Sequence, residues 1–176
     1  MSVIKRETRE TTIRVEVTPS GPSRIDTTIP FLDHMMTTLA RYSGLGIDIN
    51  ATGDLRHHII EDVAIAFGLA VREEFSGAIA RFGSAVIPMD DAVVECALDL
   101  GGRPFYRGPL PSSLYDHWMR SFSDHAEATL HLMVRRGTDR HHIVEGGFKA
   151  LGRALAQAVV ATGETQSTKG NVRVSR

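Results

Sequence analysis

The chain has 176 residues, of which 42% are hydrophobic and 23% are charged, and its formal net charge at neutral pH is −1. This balance is ordinary for a globular protein and gives no electrostatic reason to expect binding to nucleic acid or to a membrane. The single cysteine, Cys96, excludes a disulfide within the chain and favours a reducing compartment. Residues 1–12 are charged and polar, unlike a secretory leader, so we expect a cytoplasmic protein.

The first part of the chain predicts a short series of strands and helices. Alternating apolar residues at 12–17 predict a strand, and a turn with a second extended stretch follows. A short helix is expected to start near Asp33, and residues 46–51 predict another strand, which Gly53 ends. A long amphipathic helix then follows, with an apolar stretch at residues 63–71 that is too short to span a bilayer.

The second part of the chain repeats this series. Residues 93–100 and 128–134 predict strands, a short helix is expected near Leu114, and Gly137 precedes another long amphipathic helix. The two parts align at an offset of 83 to 84 residues, which indicates an internal duplication.

These elements predict an α+β fold, an α/β two-layer sandwich, built from two ββαβα half-units. Sheets are expected on one side and helices on the other. We place the first half-repeat at residues 1–83 and the second at residues 84–176. The segment 81–90 is interpreted as a short connector, so both halves are expected to share one compact domain.

One six-residue signature occurs in both halves. Arg-His-His-Ile-Ile-Glu at residues 56–61 returns as Arg-His-His-Ile-Val-Glu at residues 140–145. Residues four apart on a helix share a face, so the first His and the Glu of each copy can point the same way. The second His is turned by about 100° and cannot easily join them on one ion. The signature therefore suits a dinuclear site or an ion shared between subunits.

Two further histidines, each preceded by Asp, stand before the two signatures at nearly equal distances. The candidate metal ligands then form two matching sets of four: His34, His57, His58, Glu61, His117, His141, His142 and Glu145. An octahedral ion with four protein ligands keeps two open positions, which favours catalysis over a structural role. Two divalent ions met by only two carboxylates keep a surplus of about two positive charges, which would attract an anionic substrate.

Motifs spread over nearly the whole chain resemble those of the imidazoleglycerol-phosphate dehydratase family. They lie at residues 31–36, 53–54, 57–62, 88–90, 102–104, 141–149 and 167–170. The resemblance implies a histidine-biosynthesis dehydratase that converts imidazole glycerol phosphate to imidazole acetol phosphate and water, through a substrate imidazolate bound to two manganese ions. It implies the same eight ligands. It also implies a homo-oligomer, a 24-subunit shell built from trimers, with active sites at subunit contacts.

The resemblance also implies roles for residues outside the metal set. Glu10 is the expected acid/base, because a carboxylate is needed to take the proton from carbon. An ammonium and two hydroxyls can share the oxygens of a phosphate group. The candidate substrate-binding residues are Glu10, Arg81, Arg103, Lys149, Ser167, Thr168 and Lys169.

The chain departs from the family pattern at two places. The family usually has several more residues, including an acidic pair, before the first His pair, whereas only Leu55 and Arg56 follow Asp54 here. This short segment could alter how the first signature approaches its ion. Tyr42 stands where the family often carries a histidine, which leaves its part in substrate contact open.

Several alternatives stay open at the level of sequence. Imidazole and carboxylate ligands accept manganese, iron, cobalt or zinc, and the sequence does not assign ligands to individual ions. A dinuclear metallohydrolase acting on a phosphoester would use similar residues. A non-catalytic assembly protein with His clusters at its subunit contacts is the third reading.

Overall fold

The computed structural model describes residues 1–163 and forms two half-units of the same order. The first comprises β1 (Ser2–Glu7), β2 (Thr11–Thr18), β3 (Arg24–Asp26), α1 (Pro30–Ser43), β4 (Gly46–Gly53) and α2 (Arg56–Glu74). The second comprises β5 (Phe82–Met89), β6 (Ala92–Asp99), β7 (Phe105–Arg107), α3 (Ser113–His125), β8 (Thr129–Arg136) and α4 (Arg140–Ala158). No helix in this described part is long and apolar enough to cross a membrane.

Each half-unit builds one four-stranded mixed sheet. The strand order is β1-β2-β4-β3 in the first sheet and β5-β6-β8-β7 in the second, and only the last pair of each sheet is parallel. Val15 lies opposite Ile49 in the first sheet, and Cys96 opposite Leu132 in the second. These apolar residues alternate with polar ones, so one face of each sheet packs against helices.

The helices join the two halves. Helix α1 packs against α4 and α2 against α3, while α2 also covers β1, β2 and β4, and α4 covers β5 and β6. The helices therefore lie between the two sheets, and each half on its own is a two-layer unit. Four fully buried aromatic side chains fill the junction of α2, α3 and α4: Phe67, Trp118, Phe122 and Phe148, with ring centroids 4.7 to 6.1 Å apart.

The predicted α+β class and the internal duplication are confirmed, and the predicted strands correspond to β2, β4, β6 and β8. Each half, however, begins with a strand that was not predicted, so the repeat is βββαβα rather than ββαβα. Residues 82–89, interpreted as a connector, form β5, and the boundary placed between residues 83 and 84 falls inside this strand. Both missed strands lie at sheet edges, where polar residues and Pro88 are tolerated and weaken the pattern.

Gly83 allows β5 to lie close to α4. A Cβ at this position would overlap the carbonyl oxygen of Ala154 and lie 2.7 Å from its carbonyl carbon. The contact is with backbone, which cannot rotate away as a side chain can. The strand would have to move off the helix to accept any side chain.

We predict that Gly83→Ala lowers the free energy of unfolding by about 2–3 kcal/mol, because overpacking against a helix backbone forces a main-chain shift. Urea unfolding measures this change. The matched control is Gly77→Ala, since nothing lies within 4 Å of a Cβ there. Equal stability of the two variants would show that β5 does not press on α4 as described.

Candidate metal centre

The packing of α1 against α4 brings together three predicted metal ligands from different halves. His34 lies in the first turns of α1, and His141 and Glu145 lie in the first turns of α4. The Nε2 atoms of His34 and His141 are 3.4 and 3.1 Å from Oε2 of Glu145. One ligand atom from each residue lies within 4.8 Å of the other two, which is compact enough to hold a single metal ion. We call this group the first cluster.

Glu145 is the buried member of the first cluster. Its side chain is 8% exposed, whereas the side chains of His34 and His141 are each 49% exposed. Burial alone would raise the pKa of Glu145, but hydrogen bonds from Lys149 and His34 and their charges lower it below its ordinary value. Lys149 Nζ lies 2.9 Å from Oε1 of Glu145. The carboxylate is therefore held in its anionic form, which is the form that binds a metal ion.

Lys149 has a defined position within the chain. Its ammonium group contacts the sulfur of Met89 at 2.9 Å and lies 5.7 Å from the ring centroid of Tyr42. Tyr42, which stands where the family often carries a histidine, therefore lies close to Lys149. Lys149, a candidate substrate contact, is placed beside a metal ligand.

A partial counterpart of the first cluster, which we call the second cluster, lies at the contact between α2 and α3. His117 Nε2 lies 3.2 Å from Oε1 of Glu61, and both side chains are more than two fifths exposed. Glu61 corresponds to Glu145 in the duplicated sequence, and His117 to His34. The third expected member, His57, has its ring 4.1 Å from that of His58, at 61°.

The second His of each signature points away from its cluster, as helix geometry predicts. His58 Nδ1 lies 2.8 Å from Oδ1 of Asp54, and His142 Nδ1 lies 2.8 Å from Oδ1 of Asp91. Hydrogen bonding to Asp54 raises the pKa of His58, and hydrogen bonding to Asp91 raises the pKa of His142. Such carboxylates fix the orientation of an imidazole. The other ring nitrogen of His142, Nε2, lies 3.3 Å from Oδ2 of Asp90.

The sequence reading missed these carboxylate partners. Asp54 stands four residues before His58, and this spacing was a usable signal because only a short turn separates β4 from α2. Asp91 lies in the turn between β5 and β6, and its oxygens also accept from the backbone N–H groups of Thr138 and Asp139. No local spacing predicts that contact, because it depends on how the hairpin meets α4.

Glu10 lies in the corresponding turn of the first half, between β1 and β2. Its carboxylate is 56% exposed and approaches His58 Nδ1 at 3.6 Å. The turn is fixed to α2 through the buried carboxylate of Asp62, which accepts from the hydroxyl of Thr11 and pairs with Arg6 at 3.0 Å. The carboxylate of Glu10 is thus exposed to solvent, while the turn that carries it is anchored to α2.

The two candidate arginines lie far from the clusters of the same chain. Arg81 donates to Asp99 through Nε at 3.0 Å and Nη2 at 2.9 Å, and its backbone N–H donates to the carbonyl of Ala158 at the last residue of α4. Arg103 follows β6, and its carbonyl accepts from the hydroxyl of Thr129. The first cluster lies at the opposite end of α4, a helix of 19 residues and thus about 27 Å long.

Three candidate residues lie outside the described part of the chain. These are the phosphate-binding candidates Ser167, Thr168 and Lys169. Of the other candidates, the structure brings Lys149 to the first cluster and Glu10 to His58, and it keeps Arg81 and Arg103 away from both.

The chain is similar to known proteins over nearly its whole length. The family model for imidazoleglycerol-phosphate dehydratase matches residues 27–155. The imidazoleglycerol-phosphate dehydratase of Pyrobaculum calidifontis is 44% identical, over 94% of this chain and 97% of its own, and that of Methanopyrus kandleri is 39% identical, over 97% and 95%. The crystal structure of the Pyrococcus furiosus enzyme superposes with a TM-score of 0.89 at 38% identity, covering 96% of this chain and 100% of its own. The Staphylococcus aureus enzyme superposes with a TM-score of 0.81 at 31% identity, covering 92% and 100%. The chain therefore belongs to the imidazoleglycerol-phosphate dehydratase family, whose members are hydro-lyases.

Proposed function

We propose that the chain converts imidazole glycerol phosphate to imidazole acetol phosphate and water in histidine biosynthesis. We also propose that it uses two manganese ions per active site, and that each site is shared between copies of the chain. Family membership supports the reaction. The observation that carries the shared site is the division of the candidate residues into groups that one chain cannot bring together.

The donor atoms suit manganese. Imidazole nitrogen and carboxylate oxygen are ligands that an octahedral Mn²⁺ ion accepts. In the first cluster His34, His141 and Glu145 would hold one ion, and in the second Glu61 and His117, with His57, would hold another. Bound there, the ions would act as Lewis acids toward the imidazole of the substrate.

The contact between subunits follows from what each cluster lacks. His58 and His142 are paired with carboxylates on the far side of their helices, so neither reaches the clusters of its own chain. A second copy could supply them. Arg81 and Arg103 would likewise have to come from another copy, because the backbone of Arg81 is bonded to the last residue of α4, about 20 Å along the helix from Glu145. A homo-oligomer built from trimers, with 24 subunits in the full shell, meets this requirement.

Proton removal is the step that needs a protein base. The proton lies on a carbon that carries only a hydroxyl group, so it becomes acidic only when the imidazole ring has helped to expel the neighbouring hydroxyl as water. Glu10 is suited to take it, since its exposed carboxylate lies beside the first signature. The resulting enol then tautomerises to the ketone. The metallohydrolase alternative would instead release inorganic phosphate.

We predict that Glu10→Gln lowers kcat at least about a hundredfold and leaves the metal content unchanged, because the amide keeps the shape of the side chain but cannot accept the proton. Turnover is measured by the appearance of the ketone, and metal content by elemental analysis of the same sample. Glu7→Gln, on the exposed end of β1, is the matched control. Near-normal turnover of Glu10→Gln would remove this residue from the mechanism.

The shared site predicts complementation between two inactive variants. Glu145→Gln impairs the cluster end of a chain, and Arg103→Gln impairs the opposite end. If each site takes one residue from each of two chains, random mixing of equal amounts restores about a quarter of wild-type activity. Co-expression with two different affinity tags provides the mixed assemblies.

The control for this experiment is a mixture of Glu145→Gln with His141→Ala. Both changes lie in the first cluster of a single chain, so no arrangement of these two variants produces an intact site. Activity should stay at the level of the separate variants. Recovery in the control, or none in the test mixture, would contradict the shared site.

Asp99 is expected to matter through Arg81. Because both Asp99 oxygens accept from the guanidinium, we predict that Asp99→Asn raises KM about tenfold with little change in kcat, as loss of ground-state phosphate binding should. Steady-state kinetics measure the two constants. The matched control is Glu95→Gln. Glu95 lies on the same strand as Asp99 and accepts a similar hydrogen bond from Arg135. If both variants raised KM by the same factor, Asp99 would have only a general structural role.

A further inference from the structure

A small pocket lies beside the first cluster, where the N-terminal ends of α2, α3 and α4 converge. Its volume is about 230 Å³, and its wall includes Arg56, Ser112, Tyr115 and Arg140 together with His141 of the first cluster. Arg56 and Arg140 are the first residues of α2 and α4 and occupy equivalent places in the duplicated signature. The fold therefore brings two guanidinium groups to one cavity, an arrangement that favours an anion.

Tyr115 supplies an independent observation. The residue is 2% exposed, and within the described residues its hydroxyl has the Arg56 guanidinium as a hydrogen-bonding neighbour but makes no close hydrogen bond. Buried hydroxyl groups are rarely left in this state. A ligand in the pocket would give the hydroxyl a partner.

The surroundings of the pocket are rich in donors. Arg140 Nε donates to the carbonyl of Pro111 at 2.8 Å, which positions the guanidinium while its terminal nitrogens remain further donors. Ser112 is the N-cap residue of α3 but makes no side-chain capping bond, so the N-terminus of this 13-residue helix adds positive potential. The carboxylate near Tyr115 is that of Asp33. Its Oδ1 already accepts hydrogen bonds from the backbone N–H and the hydroxyl of Thr27.

We propose that this pocket binds an oxyanion of the phosphate class between Arg56 and Arg140, with the Tyr115 hydroxyl donating to one of its oxygens. Its residues differ from Arg81, Arg103 and Lys169, which are the residues expected to hold the substrate phosphate. The same chemistry would suit free inorganic phosphate or the phosphate of a substrate bound nearby.

The test is calorimetric titration of the full-length, metal-loaded assembly with inorganic phosphate. Arg56→Gln and Arg140→Gln should each weaken one class of binding site about tenfold or more, because each removes a charge-assisted hydrogen bond. Tyr115→Phe should weaken it about threefold to tenfold. Arg153→Gln, an exposed arginine further along α4, removes the same charge and should bind phosphate as wild type does.

Arg103→Gln separates this proposal from the proposed function. It affects the substrate-phosphate group and should leave the Arg56–Arg140 binding class intact, and the titration needs no turnover. Kinetics in phosphate-free buffer then identify the source of the anion. A KM for imidazole glycerol phosphate that rises in Arg56→Gln by the same factor points to the substrate phosphate, and an unchanged KM points to free phosphate.

Two results would overturn the proposal. One is wild-type phosphate binding in both arginine variants and in Tyr115→Phe, as in the Arg153→Gln control. The other is the absence of this class of phosphate binding in wild type. If the arginine variants then also lost the native assembly mass, the arginines would be partners of a neighbouring chain. Tyr115→Phe removes a single oxygen atom, so it remains informative if an arginine variant does not assemble.

Discussion

The packing of helices across the two halves is the constraint on which the metal centre depends. Neither half contains a complete cluster, because His34 belongs to α1 of the first half and Glu145 to α4 of the second. The contact of α1 with α4 and of α2 with α3 creates both clusters at once. The buried aromatic junction of Phe67, Trp118 and Phe148 holds this arrangement, since each ring is fully removed from water. Loosening that junction would separate ligands that lie on different helices.

Much of this could be predicted from the sequence, and the limits have physical causes. The repeated signature identified the duplication, and the spacing of four between His141 and Glu145 predicted their shared face, because both are local properties of a helix. Which upstream histidine joins which signature could not be predicted, since it depends on how the helices pair. The structure places His34 with the signature of the other half. The edge strands were missed for a different reason: β1 and β5 bury only part of one face, and their apolar alternation is weak.

The helix geometry also explains why the two histidines of each signature point in different directions. An adjacent pair of histidines on a helix cannot serve one ion from one chain, so the outward member is available for a second copy or for a tether. In both halves it meets a carboxylate near a β-hairpin turn: Glu10 approaches His58, and Asp91 binds His142. Glu10 makes the looser contact, at 3.6 Å against 2.8 Å for Asp91, and His58 is held instead by Asp54 at 2.8 Å. Asp91 is further fixed by two backbone N–H groups that hold its pKa well below the usual range. This looser contact supports the proposal that Glu10 exchanges a proton.

The two clusters are therefore alike in ligands and unlike in environment. Glu145 is buried, and a buried carboxylate stays charged only with a close cation, which Lys149 provides one helical turn away. Glu61 is 41% exposed, so water can stabilise its charge without a cation. The residue one turn after it is Ile65, which carries no charge. Both clusters contain a His–Glu pair, and among the described residues only the first cluster adds a third ligand. Only the buried carboxylate, Glu145, therefore needs a lysine beside it. Lys149 gives the second half a cationic group that has no counterpart beside Glu61.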